Sequence, residues 1–344
     1  MWAEGQSATA TPPPAPSGRV SGPAPAATAP AELAQSGWTV ELEAGPPARR
    51  DHSLTAVPAE GALYVFGGRS HGNPRDDLWV FDPQQGRWSE VPVTGARPPA
   101  RYGHNALFDQ AGRRLIVALG QAGSTFFNDV WAFDPATSIW RELGPDSPDR
   151  PSVRYGSAGA YDRLGNRFFI SHGFTNQGRF DDTWTFDLGA EVWSKVPTSG
   201  PVPIKRCLTR AAWDPAGRQL LLFGGQADQS PFLGDFWALD PDKGTWIEKR
   251  PAVAPSPRTF YGASFDEAAR RWYLIGGNTA AGPVGDGWVY DVAGDTWTRL
   301  AETPATAPPA RFSLDVATTT DRLYLFGGND RSADLSDVWS RPLA

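Results

Sequence analysis

A residue pair that ends in glycine recurs six times along the chain, each time after an apolar run. The second glycines of successive pairs are 52, 53, 52, 52 and 51 residues apart. The pairs are Gly67-Gly68, Leu119-Gly120, His172-Gly173, Gly224-Gly225, Gly276-Gly277 and Gly327-Gly328. A period of this length predicts a repeat architecture in which each repeat is one supersecondary unit.

Tryptophans recur along the chain with the same period as the glycine pairs. Six Asp-X-Trp triplets begin at Asp77, Asp129, Asp182, Asp235, Asp286 and Asp337. In five units a second tryptophan follows nine residues after the first: Trp88, Trp140, Trp193, Trp246 and Trp297. The sixth unit lacks this partner, but Trp38 near the start of the chain has matching flanks. We therefore predict six repeats that are circularly permuted by one strand.

Each unit alternates apolar and polar residues between turn signals, which predicts short strands. The first unit predicts strands a to d at 52–57, 62–66, 78–82 and 87–91. A single four-stranded sheet cannot bury both of its faces, so repeated sheets stack radially. The predicted fold is all-β: a six-bladed β-propeller with four antiparallel strands per blade, its ring closed by the N-terminal strand at 36–43. The predicted blades are 49–93, 100–145, 153–198, 205–250, 257–302 and 310–340.

The glycine pair, the aspartate before an aromatic strand and the later tryptophan resemble the kelch repeat. The resemblance covers residues 36–344 and places the chain in the galactose oxidase-like central domain superfamily. It implies the propeller fold but not one function, because kelch propellers include adaptors, sugar-binding proteins, isomerases and copper oxidases. Copper oxidases need a cysteine cross-linked to tyrosine beside paired histidines. Cys207 is the only cysteine, and no Tyr-His pair stands where that family requires one.

The composition of the chain limits the kinds of partner that we expect. The net charge is −6 and the pI is about 5.3, which argues against general binding to nucleic acid or anionic membranes. No apolar stretch has the length of a membrane span, so we predict no membrane insertion. One cysteine allows no internal disulfide and no zinc cluster. We expect a monomeric domain with no metal and no cofactor.

Residues 1–35 are rich in proline, alanine, threonine and serine. Such a segment buries too little apolar surface to offset its ordering entropy, so it is predicted to be a disordered tether. It lacks the basic start and apolar core of a signal peptide. A tether is most useful on an anchored domain, which favours an extracytoplasmic location over a cytoplasmic one.

The loops from strand b to c and from strand d to a emerge on one face, around the mouth of the central channel. Two sets of positions there differ from blade to blade, as an asymmetric ligand requires. One set follows each glycine pair: Arg69, Gln121, Phe174, Gln226, Asn278 and Asn329. The other follows each repeat arginine: Asp51, Tyr102, Tyr155, Cys207, Thr259 and Phe312. The kelch resemblance implies that both sets contact ligands.

Other residues recur in every blade. The predicted repeat arginines are Arg50, Arg101, Arg154, Arg206, Arg258 and Arg311. They would either form a positively charged ring at the mouth or, as we prefer, hydrogen-bond to blade carbonyls and acidic neighbours. The six triplet aspartates are interpreted as scaffold that fixes the loops. Shared metal binding by His71, His172 and Asp51 is disfavoured by the distance between blades.

From these patterns we predict a non-catalytic module that binds a partner protein or peptide at the channel mouth. Predicted anchors are Tyr102, Tyr155, Phe174 and Phe312, and predicted polar contacts are Asp51, Arg69, Gln121, Gln226, Asn278 and Asn329. A glycan-binding protein is the first alternative, because aromatic faces beside amides also suit sugars. A sugar isomerase or mutarotase is the second, with Asp51 and Arg69 as acid and base candidates. No blade carries an insertion long enough for a lid, which disfavours an enzyme.

Overall fold

The computed structural model describes residues 32–33, 37–57, 60–147, 149–301 and 307–344. These residues form six four-stranded antiparallel sheets arranged as the blades of a propeller, and they contain no helix. The predicted fold class is confirmed. The described chain likewise has no helix with the length and hydropathy needed to cross a membrane.

Each blade runs from strand a at the central channel to strand d at the rim. In that order, blade 1 has Ser53–Val57, Ala62–Phe66, Leu78–Asp82 and Arg87–Glu90; blade 2 has Asn105–Asp109, Arg114–Ala122, Thr125–Asp134 and Ile139–Leu143; blade 3 has Ala158–Asp162, Arg167–Ser171, Thr183–Asp187 and Val192–Val196. Blade 4 has Arg210–Asp214, Gln219–Gly225, Leu233–Asp240 and Thr245–Lys249; blade 5 has Gly262–Asp266, Arg271–Ile275, Gly287–Asp291 and Thr296–Leu300; blade 6 has Asp315–Thr318, Arg322–Phe326, Val338–Pro342 and Thr39–Leu42.

In three blades the b–c loop is a short hairpin of its own. These hairpins pair Arg69–Ser70 with Asn73–Pro74, Phe174–Thr175 with Gly178–Arg179, and Asn278–Thr279 with Gly282–Pro283. They raise the loops above the blades and so shape the face that surrounds the channel mouth.

The N-terminal strand closes the ring, as predicted. Strand Thr39–Leu42 pairs antiparallel with Val338–Pro342, with Val40 opposite Trp339. Trp38 is buried between blades 5 and 6. This pairing satisfies an edge that would otherwise be open to another chain.

A second short strand, Glu32–Leu33, pairs in parallel with Arg299 and Leu300 at the rim of blade 5. These two residues fall inside the segment predicted to be a tether. The rest of that segment lies outside the described residues.

The hydrophobic core lies between the blades. Buried side chains of the described residues form six clusters, each shared by two neighbouring blades. One cluster joins blade 6 to blade 1, where Phe326 contacts Trp88 with ring centroids 5.1 Å apart. Twisted sheets that meet at an angle leave wedge-shaped gaps, and large flat side chains fill them.

Candidate functional site

The loops that surround one end of the channel form a surface that we call the mouth face. It is made of the b–c loops and the d–a loops of all six blades. In every blade, the residue that follows the glycine pair forms an antiparallel backbone β-bridge with a residue of the d–a loop. The pairs are Arg50 with Arg69, Tyr102 with Gln121, Tyr155 with Phe174, Cys207 with Gln226, Thr259 with Asn278, and Phe312 with Asn329.

The two predicted sets of variable positions therefore meet blade by blade, with one exception. The sequence prediction took Arg50 as the repeat arginine of blade 1, and this is wrong. Arg49 is fully buried and donates to Asp77 over 2.7 Å, as its counterparts in the other blades do. Arg50 instead pairs with Asp334 at 2.8 Å. The spacing agrees with the burial, because Arg49 lies 28 residues before Asp77, as Arg101 does before Asp129 and Arg154 before Asp182.

This shift moves Asp51 out of the paired set. Asp51 belongs to a ring of six residues, which we call the channel ring, whose members all have φ between 55° and 61°. The channel ring consists of Asp51, Gly103, Gly156, Leu208, Phe260 and Ser313. Backbone N–H groups donate to the carbonyl of the neighbouring blade's member in five of the six steps between these described residues, over 2.7 to 3.0 Å. The channel ring narrows the mouth of the channel.

The repeat arginines are structural clamps, as we preferred. Arg101 donates through both terminal nitrogens to Asp129, over 2.6 and 2.8 Å, and also to the carbonyl of Leu119 over 2.9 Å. The same contacts recur in the other blades with Arg49, Arg154, Arg206, Arg258 and Arg311. All six arginines are fully buried, so they present no charged ring to a ligand.

The triplet aspartates complete the clamps. Asp77 accepts from the indole N–H of Trp79 over 2.8 Å as well as from Arg49. Burial alone would raise the pKa of Asp77, but the Arg49 guanidinium holds it below its ordinary value. The bidentate pair and the indole together fix the loop before strand c, which confirms the scaffold interpretation.

Three of the four histidines are buried side chains. His104 contacts the hydroxyl of Ser53 at 3.0 Å, and His172 contacts Ser171 at 2.7 Å while its ring meets Trp246 edge-on. Burial lowers the pKa of both His104 and His172 to about 3. His172 thus lies between blades 3 and 4.

No group of three His, Cys, Asp or Glu among the described residues is arranged to hold a metal ion. Cys207 is buried, and burial raises the pKa of its thiol. A thiolate is the reactive form of cysteine, so this side chain has the properties of a structural residue.

A row of side chains crosses blades 1 to 3 on the mouth face. Asp51 accepts from Arg69 over 2.7 Å, and the Arg69 guanidinium stacks 4.9 Å from the ring centroid of Tyr102. Tyr102 in turn meets Tyr155 edge-on at 5.7 Å. The row brings together four of the predicted site residues in one rigid contact chain.

The remaining predicted residues are more dispersed. Phe312 meets Phe260 edge-on at 6.0 Å beside the channel ring. Asn329 is buried and donates to Asp334 over 2.8 Å, while Gln121 donates to the Gly123 carbonyl. Phe174, Gln226 and Asn278 are half-buried.

The mouth face also has a groove between blades 2 and 3 that sequence reasoning missed. Its volume is about 500 Å³, and Phe126, Val153 and Phe180 line it together with Arg179 and Lys205. Most of these residues lie on d–a loops or on the far sides of b–c loops, where no repeat marks them. The one signal in the sequence is a pair of apolar residues, Val153 and Ile204, that stand just before a repeat arginine.

Comparison with known proteins agrees with the geometry. The family model described as the KLHDC2/KLHL20/DRC7 Kelch-repeats domain matches residues 32–213 and 163–342. The chain belongs to this kelch-repeat family.

Its similarity to individual relatives is modest. The leucine-zipper-like transcriptional regulator 1 homolog of Drosophila melanogaster is 27% identical over 302 residues, which cover 83% of this chain and 30% of that protein. Host cell factor 2 of Homo sapiens is 26% identical over 255 residues, 68% of this chain and 31% of that protein. Acyl-CoA-binding domain-containing protein 4 of Arabidopsis thaliana is 27% identical over 263 residues, 73% of this chain and 38% of that protein. The chain thus spans about a third of the length of these relatives.

Proposed function

We propose that this kelch propeller is a non-catalytic module that holds an extended segment of a partner protein on its mouth face. The groove between blades 2 and 3 is the observation that carries this proposal. It combines three apolar side chains, Phe126, Val153 and Phe180, with polar neighbours on a face whose loops differ from blade to blade.

The groove has the properties of an anchor site. Phe126 and Phe180 are half-buried walls, Val153 at its rim is 38% exposed, and Ile204 beside Lys205 is 51% exposed. Apolar side chains of this size are normally covered, and an exposed cluster beside a concave surface is typical of an interaction site. A large apolar side chain of the partner would fill the groove.

The charged side chains of the groove predict which residues of a partner it prefers. Arg179 and Lys205 line the groove, and no described acidic residue does. Arg179 also pairs with the exposed carboxylate of Asp228, so the uncompensated positive charge at the groove is that of Lys205, which has no ion pair among the described residues. A carboxylate next to the partner's apolar anchor would be attracted here, and electrostatic complementarity of this kind favours specific binding.

The row from Asp51 to Tyr155 would continue the contact surface toward the channel. Asp51 holds Arg69, and the aromatic rings hold one another, so these groups lose little freedom when a ligand binds. The chain matches about 30% of the length of two relatives, and this also supports a module that works within larger proteins.

Selection from a displayed library of random peptides tests the proposal directly. We expect recovered peptides to combine a large apolar residue with an acidic one, and to bind the purified chain in solution. Val153→Glu should weaken their binding by at least about tenfold, because Val153 lines the groove where the partner's apolar group would lie. Ile204→Glu should have a similar effect, because it places a carboxylate next to Lys205, where the partner's acidic group would lie.

Ile247→Glu is the matched control. Ile247 is 65% exposed on strand d of blade 4, at the rim of the propeller rather than on the mouth face. Its substitution should leave peptide binding unchanged, and all three variants should keep the parent's melting temperature. The proposal fails if no peptide is enriched, or if Ile247→Glu weakens binding as much as Val153→Glu does.

A further inference from the structure

Two charged side chains, Arg210 and Asp315, lie at the start of first strands that line the central channel, and the repeat does not explain them. The first strand of every blade lines this channel, which encloses about 260 Å³. The residues that begin these strands are Ser53, Asn105, Ala158, Arg210, Gly262 and Asp315. Only two of the six are charged. Because the other blades form the same strand with small or neutral residues, the fold itself does not require Arg210 or Asp315.

The two side chains face each other across the channel without a close hydrogen bond. The shortest approach, from Arg210 Nη2 to Asp315 Oδ1, is 3.6 Å, which is beyond hydrogen-bond distance. Arg210 donates through Nε to the carbonyl of Tyr261 over 3.2 Å, and the other Asp315 oxygen accepts from the backbone N–H of Leu54 over 2.9 Å. Within the described chain, the two terminal nitrogens of Arg210 donate to no partner within 3.5 Å.

Solvent reaches this pair. The side chain of Arg210 is 29% exposed and that of Asp315 is 13% exposed, although both lie inside the propeller. The channel ring narrows the channel at the mouth face, and Gln110 and Glu267 line it at the other end. A cavity of this size and shape suits a small polar solute rather than a peptide.

We propose that the channel binds a small zwitterion of the α-amino acid type, with its carboxylate on Arg210 and its ammonium group on Asp315. A guanidinium binds a carboxylate through two parallel hydrogen bonds. Within the described chain the terminal nitrogens of Arg210 have one partner, Asp315, and that ion pair, at 3.6 Å, is too long for a hydrogen bond. A carboxylate beside the guanidinium accepts from an ammonium group in the same way. The Arg210–Asp315 pair has no net charge, so a ligand of balanced charge leaves neither partner uncompensated.

Ligands with only one charge are disfavoured by the same geometry. A simple anion on Arg210 would lie next to the Asp315 carboxylate, and a simple cation on Asp315 would lie next to the guanidinium. Burial raises the pKa of Asp315, so a ligand ammonium group close to this carboxyl would favour its ionised form. The site is therefore predicted to discriminate by charge pattern rather than by total charge.

Isothermal titration of the full chain with four probes tests this discrimination. Glycine and L-alanine are the zwitterions, and acetate and methylammonium are the two halves, all at matched ionic strength and neutral pH. We expect saturable binding of at least one zwitterion with one site per chain. Acetate and methylammonium should bind at least about tenfold more weakly.

Variants separate this site from general solute effects. Arg210→Met and Asp315→Asn should each weaken zwitterion binding by at least about tenfold. Arg218→Met is the matched control, because Arg218 lies in the a–b turn of the same blade and pairs with Asp242 on the surface. Should Arg210→Met fail to fold, Arg210→Lys keeps the charge without the planar fork and should still weaken binding.

Two results would overturn the inference. One is the absence of saturable heat with either zwitterion, and the other is equal zwitterion binding by the parent and by a folded Arg210 variant. Peptide binding at the groove between blades 2 and 3 should be unaffected by Arg210→Met. The channel site and the proposed partner site can therefore fail independently.

Discussion

The buried histidines should make this propeller sensitive to mild acid. His104 and His172 have folded-state pKa values of about 3 because burial disfavours the imidazolium, against 6.5 for an exposed histidine. Between these values the unfolded chain takes up a proton that the folded chain does not. The stability that neutral histidine provides is therefore complete above pH 6.5 and is lost as the pH falls toward 3.

The size of the effect follows from proton linkage. Each histidine lowers the free energy of unfolding by about 1.4 kcal/mol for each pH unit below 6.5. From about pH 6.5 to about pH 5 this amounts to about 2 kcal/mol per histidine, or about 4 kcal/mol for His104 and His172 together. Burial lowers the pKa of His52 as well, so this third histidine acts in the same direction. A typical domain has only about 5–15 kcal/mol of stability, so this loss is large.

Urea unfolding at several pH values between about 5 and 7.5 measures the effect. Against the effect of burial, the arginine partners hold the pKa values of five clamp aspartates below their ordinary value and so outside this window: Asp77, Asp182, Asp235, Asp286 and Asp337. His104→Gln should reduce the slope of stability against pH by about one proton, whatever its effect on stability at neutral pH. His71→Gln, at the tip of an exposed loop, is the control and should keep the parent slope. An unchanged slope in His104→Gln would mean that the ring is already hydrated or charged in the folded protein, and the burial argument would be wrong.

Three further predictions concern the scaffold, each measured by chemical or thermal unfolding. Arg154→Met should lower the free energy of unfolding by about 3–5 kcal/mol, because it leaves the Asp182 carboxylate without its buried partner. A loss below about 1 kcal/mol would contradict the structural role of this arginine. Gly103→Ala should destabilise by more than about 1 kcal/mol, since its Cβ would lie 2.0 Å from the Tyr155 ring at a φ of +59°; a neutral result would mean that the channel ring is not rigid. Trp38→Ala should lower the free energy of unfolding by about 3–5 kcal/mol if the closing strand is part of the core. A melting temperature equal to that of the parent would mean that this strand does not unfold together with the rest of the propeller.

The repeat pattern was sufficient for the fold because its signals are local and redundant. Glycine pairs, Asp-X-Trp triplets and strand alternation each recur six times, so an ambiguity in one blade is resolved by the others. The missing partner of Trp339 even predicted that the N-terminal strand pairs with Val338–Pro342. In blade 1, where Arg49 and Arg50 stand in tandem, the prediction chose the wrong residue although the spacing in the other blades favours Arg49.

The candidate site was predicted only in part. The structure joins the two variable sets in pairs, with Arg50 in place of Asp51 in blade 1. The groove between blades 2 and 3 was missed because it depends on how two neighbouring loops approach each other. The apolar residues Val153 and Ile204 near repeat arginines were its one mark in the sequence, and single apolar residues also occur in ordinary loops.

The sequence by itself determined the number of blades, the strand order and the closure of the ring, since all three follow from short-range periodicity. Only the tertiary structure decided which charged groups are buried and which face solvent. Arg101 and Arg210 are the same kind of residue, yet one is a buried clamp with three acceptors and the other extends into the channel toward Asp315. Burial and charge pairing depend on side chains brought together from distant blades, and that information lies in the closed ring rather than in any single repeat.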